Sequence, residues 1–239
     1  MSGHSKWATS HKKKEVADAK KGAIFTKLAA LIALAAREGG DDIEANFKLR
    51  LAIDKAREAN MPKDNIERAI KKGGGGGKDG ANFEEITYEI IGPMGVGYIA
   101  EAVTDNKNRT VGELKAVVNK SGGQLASANA VAWNFKRRGI ISASGNLTDE
   151  IELGLIDAGA EELEKSDDGW QIITQPANLM KLAEKAKNLG LKVSDAALAY
   201  LPNEEISIES PDDQEKVERL FNLIEDLDDI TNVYTNATR

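Results

Sequence analysis

His4, Lys6, Trp7, His11, Lys12, Lys13 and Lys14 crowd into the first fourteen residues, MSGHSKWATSHKKK, of a chain whose net charge is −7. Those residue types suit one chemistry above others. Lysine ammonium groups displace the counterions condensed on a phosphate backbone, while indole and imidazole rings stack on unpaired bases. Lys20, Lys21 and Lys27 continue the positive run, and Glu15 and Asp18 are the only acids before residue 28. The competing reading is a solubilising tail ahead of a lysine-rich helix. The tryptophan and histidines placed among the lysines favour nucleic-acid contact.

Two other segments carry cations in a suggestive setting. Asp105-Asn106-Lys107-Asn108-Arg109-Thr110 joins an expected strand to an expected helix. Its amides, hydroxyl and two cations at a helix N-terminus can hold a phosphate, with Lys107 and Arg109 as a second contact, or they can form an Asn-rich turn with a helix cap. Lys136-Arg137-Arg138 follows Trp133 and Phe135. There the favoured reading is a pair of packing aromatics followed by a solvated basic turn. The run Gly73 to Gly77 before Lys78 imitates a phosphate loop, but Lys72 and Asp79 stand where that loop needs Gly and Ser or Thr. A flexible interdomain linker suits the composition better.

Nothing in the chain assembles a catalytic constellation. With no cysteine and only two histidines, thiolate chemistry and Cys-type zinc clusters are excluded. Both imidazoles lie in the terminal arm, away from the preorganised geometry of general acid–base catalysis. Ser2-Gly3-His4 would wrap Cu(II) or Ni(II) after loss of Met1, a property that many short N-termini carry by accident. The acids Glu225, Asp226, Asp228 and Asp229 lack the glycine and the ligand alternation of a calcium loop, and read as a solvated helix end. The expectation is a protein without catalytic residues, metal or cofactor.

Charge is distributed unevenly. Residues 1–80 sum to +6, residues 81–138 to +1 and residues 139–239 to −14. One end can approach a polyanion, and the other repels it or meets a basic protein. No apolar run reaches the roughly 18 residues of a membrane span, and the start lacks the apolar stretch of a signal peptide. A soluble chain in a bacterial-type cytoplasm, with no membrane partner, is expected.

Periodicity outlines the scaffold that carries these residues. Ile24, Leu28, Leu31, Ile32 and Ala35 share a helical face over 15–37, closed by Gly39-Gly40. Asp41 and Asp42 suit the cap of a second helix with Leu49, Ile53 and Ala56, and Pro62 opens a third that ends at Gly73. Beyond the glycines the period becomes two. Ile86, Tyr88 and Ile90 form a strand that turns at Gly92-Pro93-Met94-Gly95 and returns over 96–104. A helix over 110–120 and a strand over 131–135 come next. Residues 139–201 then read strand, helix, strand, strand, helix, strand, the split βαβ of a ferredoxin-like domain. A short strand at 206–209, a helix opened by Ser210-Pro211-Asp212-Asp213 and a last strand near 232–235 complete the chain. Alpha and beta elements on both sides of the ferredoxin-like unit indicate insertion of one domain into another.

Several motifs, long and in order, carry a resemblance: Gly3-His4-Ser5-Lys6-Trp7, Ala35-Ala36-Arg37-Glu38-Gly39-Gly40, the stretch from Leu49 to Ala56, the stretch from Asn60 to Ile70, and Thr104 to Thr110. Together they resemble the YebC family over essentially the whole chain. The resemblance implies an α+β multidomain protein: a basic arm and three-helix domain over 1–76, a discontinuous central α+β domain over 81–136 and 203–239, and an inserted ferredoxin-like domain over 137–202. The family's usual designation, probable transcriptional regulatory protein, implies DNA as partner. Its mitochondrial relatives, which activate translation, imply the ribosome and ribosomal or transfer RNA as the alternative. No enzymatic activity is implied. The chain departs from the family pattern at Thr9-Ser10-His11, at Ala23, where a lysine is common, and at Ala126 and Ala130.

Overall fold

The computed structural model describes residues 18–74, 83–166 and 169–238, with side chains from Gly22 onward in the first segment. Helices α1 (Asp18–Gly39), α2 (Phe47–Glu58) and α3 (Lys63–Gly73) come first. Ile32, Ala35 and Ala36 of α1 bury against Leu49, Ile53 and Ala56 of α2 and Ile66 and Ala69 of α3, with Met61 between them. Gly73 allows the end of α3 to close on α1, since a Cβ there would lie 2.0 Å from the Ala33 carbonyl oxygen.

Two local expectations about these helices are corrected. The cap of α2 is Asn46, whose Oδ1 accepts from the Leu49 N–H at 3.0 Å while Nδ2 donates to the carbonyls of Ala35 and Gly40, both at 2.8 Å. Asp42 instead closes a tight turn, accepting from the Glu44 N–H at 2.9 Å. Helix α1 also buries more than one stripe: Ala30 and Leu34 pack away from the three-helix core, against Val103.

Val103 belongs to a four-stranded sheet of order β3-β1-β2-β9, formed by β1 (Glu84–Ile91), β2 (Gly97–Thr104), β3 (Gln124–Leu125) and β9 (Ile230–Thr235). The expected hairpin is present, with Glu84 opposite Thr104 and Ile91 opposite Gly97. All of β2 is buried. Tyr98, Ala100 and Ala102 pack with Leu114 and Val118 of α4 (Lys107–Lys120) and Val217, Leu220 and Ile224 of α7 (Pro211–Glu225). The short strands β8 (Ile206–Ser207) and β10 (Ala237–Thr238) pair in parallel.

Residues 131–135 do not form the expected strand. The N–H groups of Val131 and Ala132 turn to the carboxylate of Glu89 at 2.6 and 2.8 Å, so Ala132–Asn134 curls into a 3-10 turn. Strand β4 (Phe135–Ser144) starts only afterwards.

The chain divides into two compact units, Met1–Lys136 with Leu201–Arg239, and Arg137–Tyr200. Within the second, β4 is followed by α5 (Asp149–Asp157), β5 (Ala160–Ser166), β6 (Gly169–Thr174), α6 (Leu179–Asn188) and β7 (Lys192–Pro202). The strand order β5-β6-β4-β7, with β6 antiparallel to both β4 and β5, is the ferredoxin-like arrangement. The protein is a multidomain α+β chain with a helical N-terminal region. No described helix is long and apolar enough to cross a membrane.

Candidate nucleic-acid interface

His4, Lys6, Trp7, His11, Lys12, Lys13 and Lys14 lie outside the described residues. Lys20 and Lys21 fall in the first turns of α1, their side chains likewise outside the described set. The described cations of the candidate interface stand on α3 and at the start of α4.

At the start of α4 the Asn-rich segment forms a capped turn. Asn106 Oδ1 accepts from the Arg109 N–H at 3.1 Å, and the Thr104 hydroxyl accepts from the Asn106 N–H at 2.9 Å. The turn is tied to the far end of the chain through Asp229. Its Oδ2 accepts from the hydroxyls of Thr110 at 2.6 Å and Thr104 at 3.0 Å. Arg109 Nη2 lies 2.9 Å from both Asp229 oxygens and 3.2 Å from Asp105 Oδ1. The Asp229 hydrogen bond and charge raise the Arg109 pKa further. Anchoring employs only one guanidinium nitrogen. The side chain stays 46% exposed, which leaves its other edge available to a phosphate. Lys107 is exposed and pairs with Glu84 at 2.5 Å.

Arg109 and Asp229 form one wall of a groove of about 570 Å³ whose other walls are α1 and α3. Phe25, Ala29, Ala30, Met61 and Val103 make its apolar floor, and Arg68 and Lys72 reach it from α3. Lys72 Nζ sits 4.4 Å from the centre of the Phe83 ring. Arg68 is braced by the Asn65 side chain and the Asp64 carbonyl. Sequence reasoning passed over these two cations. Their i, i+4 spacing, together with Asn65 three residues before Arg68, was the available signal for one helix face.

Of the acids at 225–229, Asp226 and Asp228 are exposed, as a solvated helix end requires, whereas Asp229 is buried. Lys27 crosses from α1 and donates to the Glu225 carbonyl at the C-terminus of α7. Burial lowers its pKa, opposed by the charges of Glu225, Asp226 and Asp228. An ammonium in that position satisfies a helix-end carbonyl and complements the helix dipole. Asp229 in turn holds Arg109, so Lys27 and Arg109 both anchor at this end of α7. Among the described residues no group of three or more His, Cys, Asp or Glu side chains is arranged to hold a metal.

The third basic segment separates by residue. Phe135 is buried, as expected of a packing aromatic, but Trp133 is 62% exposed. Lys136 is exposed. Within the second unit, Arg137 lies 5.9 Å from the Tyr200 ring and Arg138 pairs with Glu161 at 3.0 Å.

Known proteins share this sequence and architecture. Residues 5–76 match the model of the TACO1/YebC protein N-terminal domain, and residues 83–237 that of the TACO1/YebC second and third domain. A relative from Thermoanaerobacter pseudethanolicus is 49% identical, over 99% of this chain and 97% of its own length. One from Bacillus subtilis is 46% identical over 99% of each chain. Both bear the name "probable transcriptional regulatory protein". The crystal structure of a conserved hypothetical protein from Aquifex aeolicus superposes with a TM-score of 0.84 at 38% identity, covering 98% of this chain and 96% of that one.

Proposed function

The chain belongs to the TACO1/YebC family, and on that premise we propose that it is a non-enzymatic, nucleic-acid-binding regulator of gene expression, acting in the cytoplasm as a transcriptional regulator on DNA. The observation that carries this reading is the separation of charge, +6 over residues 1–80 against −14 over residues 139–239. The seven lysines within residues 1–27, against Glu15 and Asp18 alone, are where a duplex is met. The contacts assigned are His4, Lys6, Trp7, His11, Lys12, Lys13, Lys14, Lys20 and Lys21, with Lys107 and the anchored Arg109 as a second patch beside Arg68 and Lys72. The division into 1–76, with the basic arm and the three helices, 81–136 with 203–239, and 137–202 belongs to the same reading.

A second reading, a ribosome-associated translation factor contacting ribosomal or transfer RNA, draws on the aromatic content of the arm. Trp7 and the two histidines suit unpaired bases better than a closed duplex. The test compares full-length protein with a variant lacking residues 2–14, on duplex DNA and on intact ribosomes. Arm-dependent, site-selective DNA binding supports the transcriptional reading. Tight arm-dependent ribosome binding with sequence-blind DNA binding supports the translational one. Binding to neither overturns both.

A further inference from the structure

Trp133 is 62% exposed although its neighbours Val131, Asn134 and Phe135 are all buried. The turn that carries it is held from both sides. On one side the Glu89 carboxylate accepts from the backbone N–H groups of Asn129, Val131 and Ala132 at 2.5 to 2.8 Å, and the Glu89 carbonyl accepts from the Ala126 N–H. On the other, the Asn134 side chain makes a paired contact with Glu204, donating to its carbonyl at 2.8 Å and accepting from its N–H at 2.9 Å. Asn203 donates through its backbone N–H to the Asn134 carbonyl at 2.7 Å. The indole N–H is itself satisfied, donating to the Ala130 carbonyl at 3.0 Å. With the indole N–H already paired, what the exposed ring has left to offer is its apolar π surface.

The electrostatic setting names the occupant. From Leu114 to Thr148 the chain has five cations, Lys115, Lys120, Lys136, Arg137 and Arg138, and no carboxylate side chain. Lys136, three residues from Trp133, is exposed, and no carboxylate among the described residues pairs with it. Two carboxylate residues are tied to the turn: Glu89, whose charge is spent on three backbone N–H groups, and Glu204, which is exposed and meets Asn134 through its backbone. A braced, exposed aromatic three residues from an exposed lysine, in a stretch of sequence without carboxylates, matches a base with its phosphate.

We infer that Trp133 and Lys136 form a preorganised platform on which an unpaired base of single-stranded nucleic acid stacks while Lys136 meets its phosphate. This rests on the nucleic-acid reading above and narrows it to strands with splayed bases at this turn. A base in a closed duplex keeps its faces against its neighbours, so duplex binding is indifferent to the platform.

The test uses full-length protein with Trp7→Phe and Trp170→Phe, so that Trp133 is the sole indole, titrated with a twelve-residue oligothymidylate and with a twelve-base-pair duplex. Saturation with the single strand should quench the indole emission. Trp133→Ala should weaken the single-strand Kd roughly tenfold or more, Trp133→Phe should retain most of the affinity, and Lys136→Ala should lower the single-strand salt slope by about 0.7. The duplex Kd should be unchanged by either Trp133 substitution. Unchanged single-strand affinity in a folded Trp133→Ala protein, or an emission unmoved at saturation, overturns the platform while leaving the nucleic-acid reading standing. Failure of the unsubstituted protein to bind either form overturns both. Quenching by a proline-rich peptide but not by the oligonucleotide also overturns it, assigning the turn to a protein partner.

Discussion

Arg109 places its Nη2 2.9 Å from both carboxylate oxygens of Asp229, 120 residues further along the chain. The contact fastens the start of α4 to the segment between α7 and β9, and it fixes the position of a cation at the groove. Asp229 is buried and also receives the hydroxyls of Thr104 and Thr110. Its removal leaves these donors without their acceptor.

Asp229→Ala is expected to cost about 2–4 kcal/mol of stability, the range for removing a buried carboxylate that accepts several hydrogen bonds, one of them charged. Arg109→Ala, at a half-exposed residue, should cost less. Chemical denaturation of both variants checks the order, and a larger loss for Arg109→Ala would contradict it.

Lys27 gives stability a characteristic dependence on pH. Burial sets its folded-state pKa below the ordinary 10.5. The unfolded chain therefore binds more protons between the two values, and the contribution of this residue to stability rises with pH across that window. The difference in stability between wild type and Lys27→Met should grow in favour of wild type as pH climbs toward 10.5. Thermal melts at stepped alkaline pH check this; parallel curves for the two proteins would contradict it.

Gly73 separates two opposing effects. Alanine in a helix is intrinsically favoured over glycine by about 1 kcal/mol. Here the new Cβ would sit 2.0 Å from the Ala33 carbonyl oxygen, which is backbone and cannot swing aside. Gly73→Ala should destabilise the protein by about 1–3 kcal/mol, as overpacking does. A raised melting temperature would show that the α1–α3 contact is looser than described.

Glu89 should govern the order of the Trp133 turn. Burial raises its pKa, but the N–H groups of Val131, Ala132, Asn129 and Ala130 outweigh this and set it below the usual 4.5. The stabilisation is complete above 4.5 and is lost as pH falls through the lower folded value. Glu89→Gln, which faces the same N–H groups with an amide, should destabilise the protein by about 1–3 kcal/mol and lower the fluorescence anisotropy of Trp133 at neutral pH. Unchanged anisotropy would mean the turn is held without Glu89.

The parts legible in the sequence were those governed by nearby residues. The βαββαβ order over 139–201 followed from alternation, capping threonine and closing glycines, all within a few positions of each element. The hairpin at Gly92-Pro93-Met94-Gly95 was visible for the same reason. Misreadings occurred where a distant partner decided the outcome. Val131–Phe135 has strand composition, yet Glu89, some 40 residues earlier, takes its N–H groups. Nothing near Asp229 in the sequence shows that Arg109, 120 residues earlier, holds it, or that Lys27 reaches the Glu225 carbonyl across 198 residues. Asp41-Asp42 resembled a cap more than Asn46 did because nothing local shows that Asn46 also closes on Ala35 and Gly40. In the candidate interface, the lysines of the arm were plain from composition. The anchoring of Arg109, the face shared by Arg68 and Lys72, and the exposure of Trp133 required tertiary structure.

The central claim, that the basic N-terminal arm carries this protein onto nucleic acid, is tested most directly by the salt dependence of binding. Association constants on duplex DNA would be measured from low to physiological salt, for the full chain and for the variant lacking residues 2–14. That deletion removes Lys6, Lys12, Lys13 and Lys14. At about 0.9 per phosphate contact, the slope of log K against log salt should become shallower by up to roughly 3 to 4, with a matching loss of affinity at low salt. Equal slopes and equal affinities for the two proteins would contradict the account.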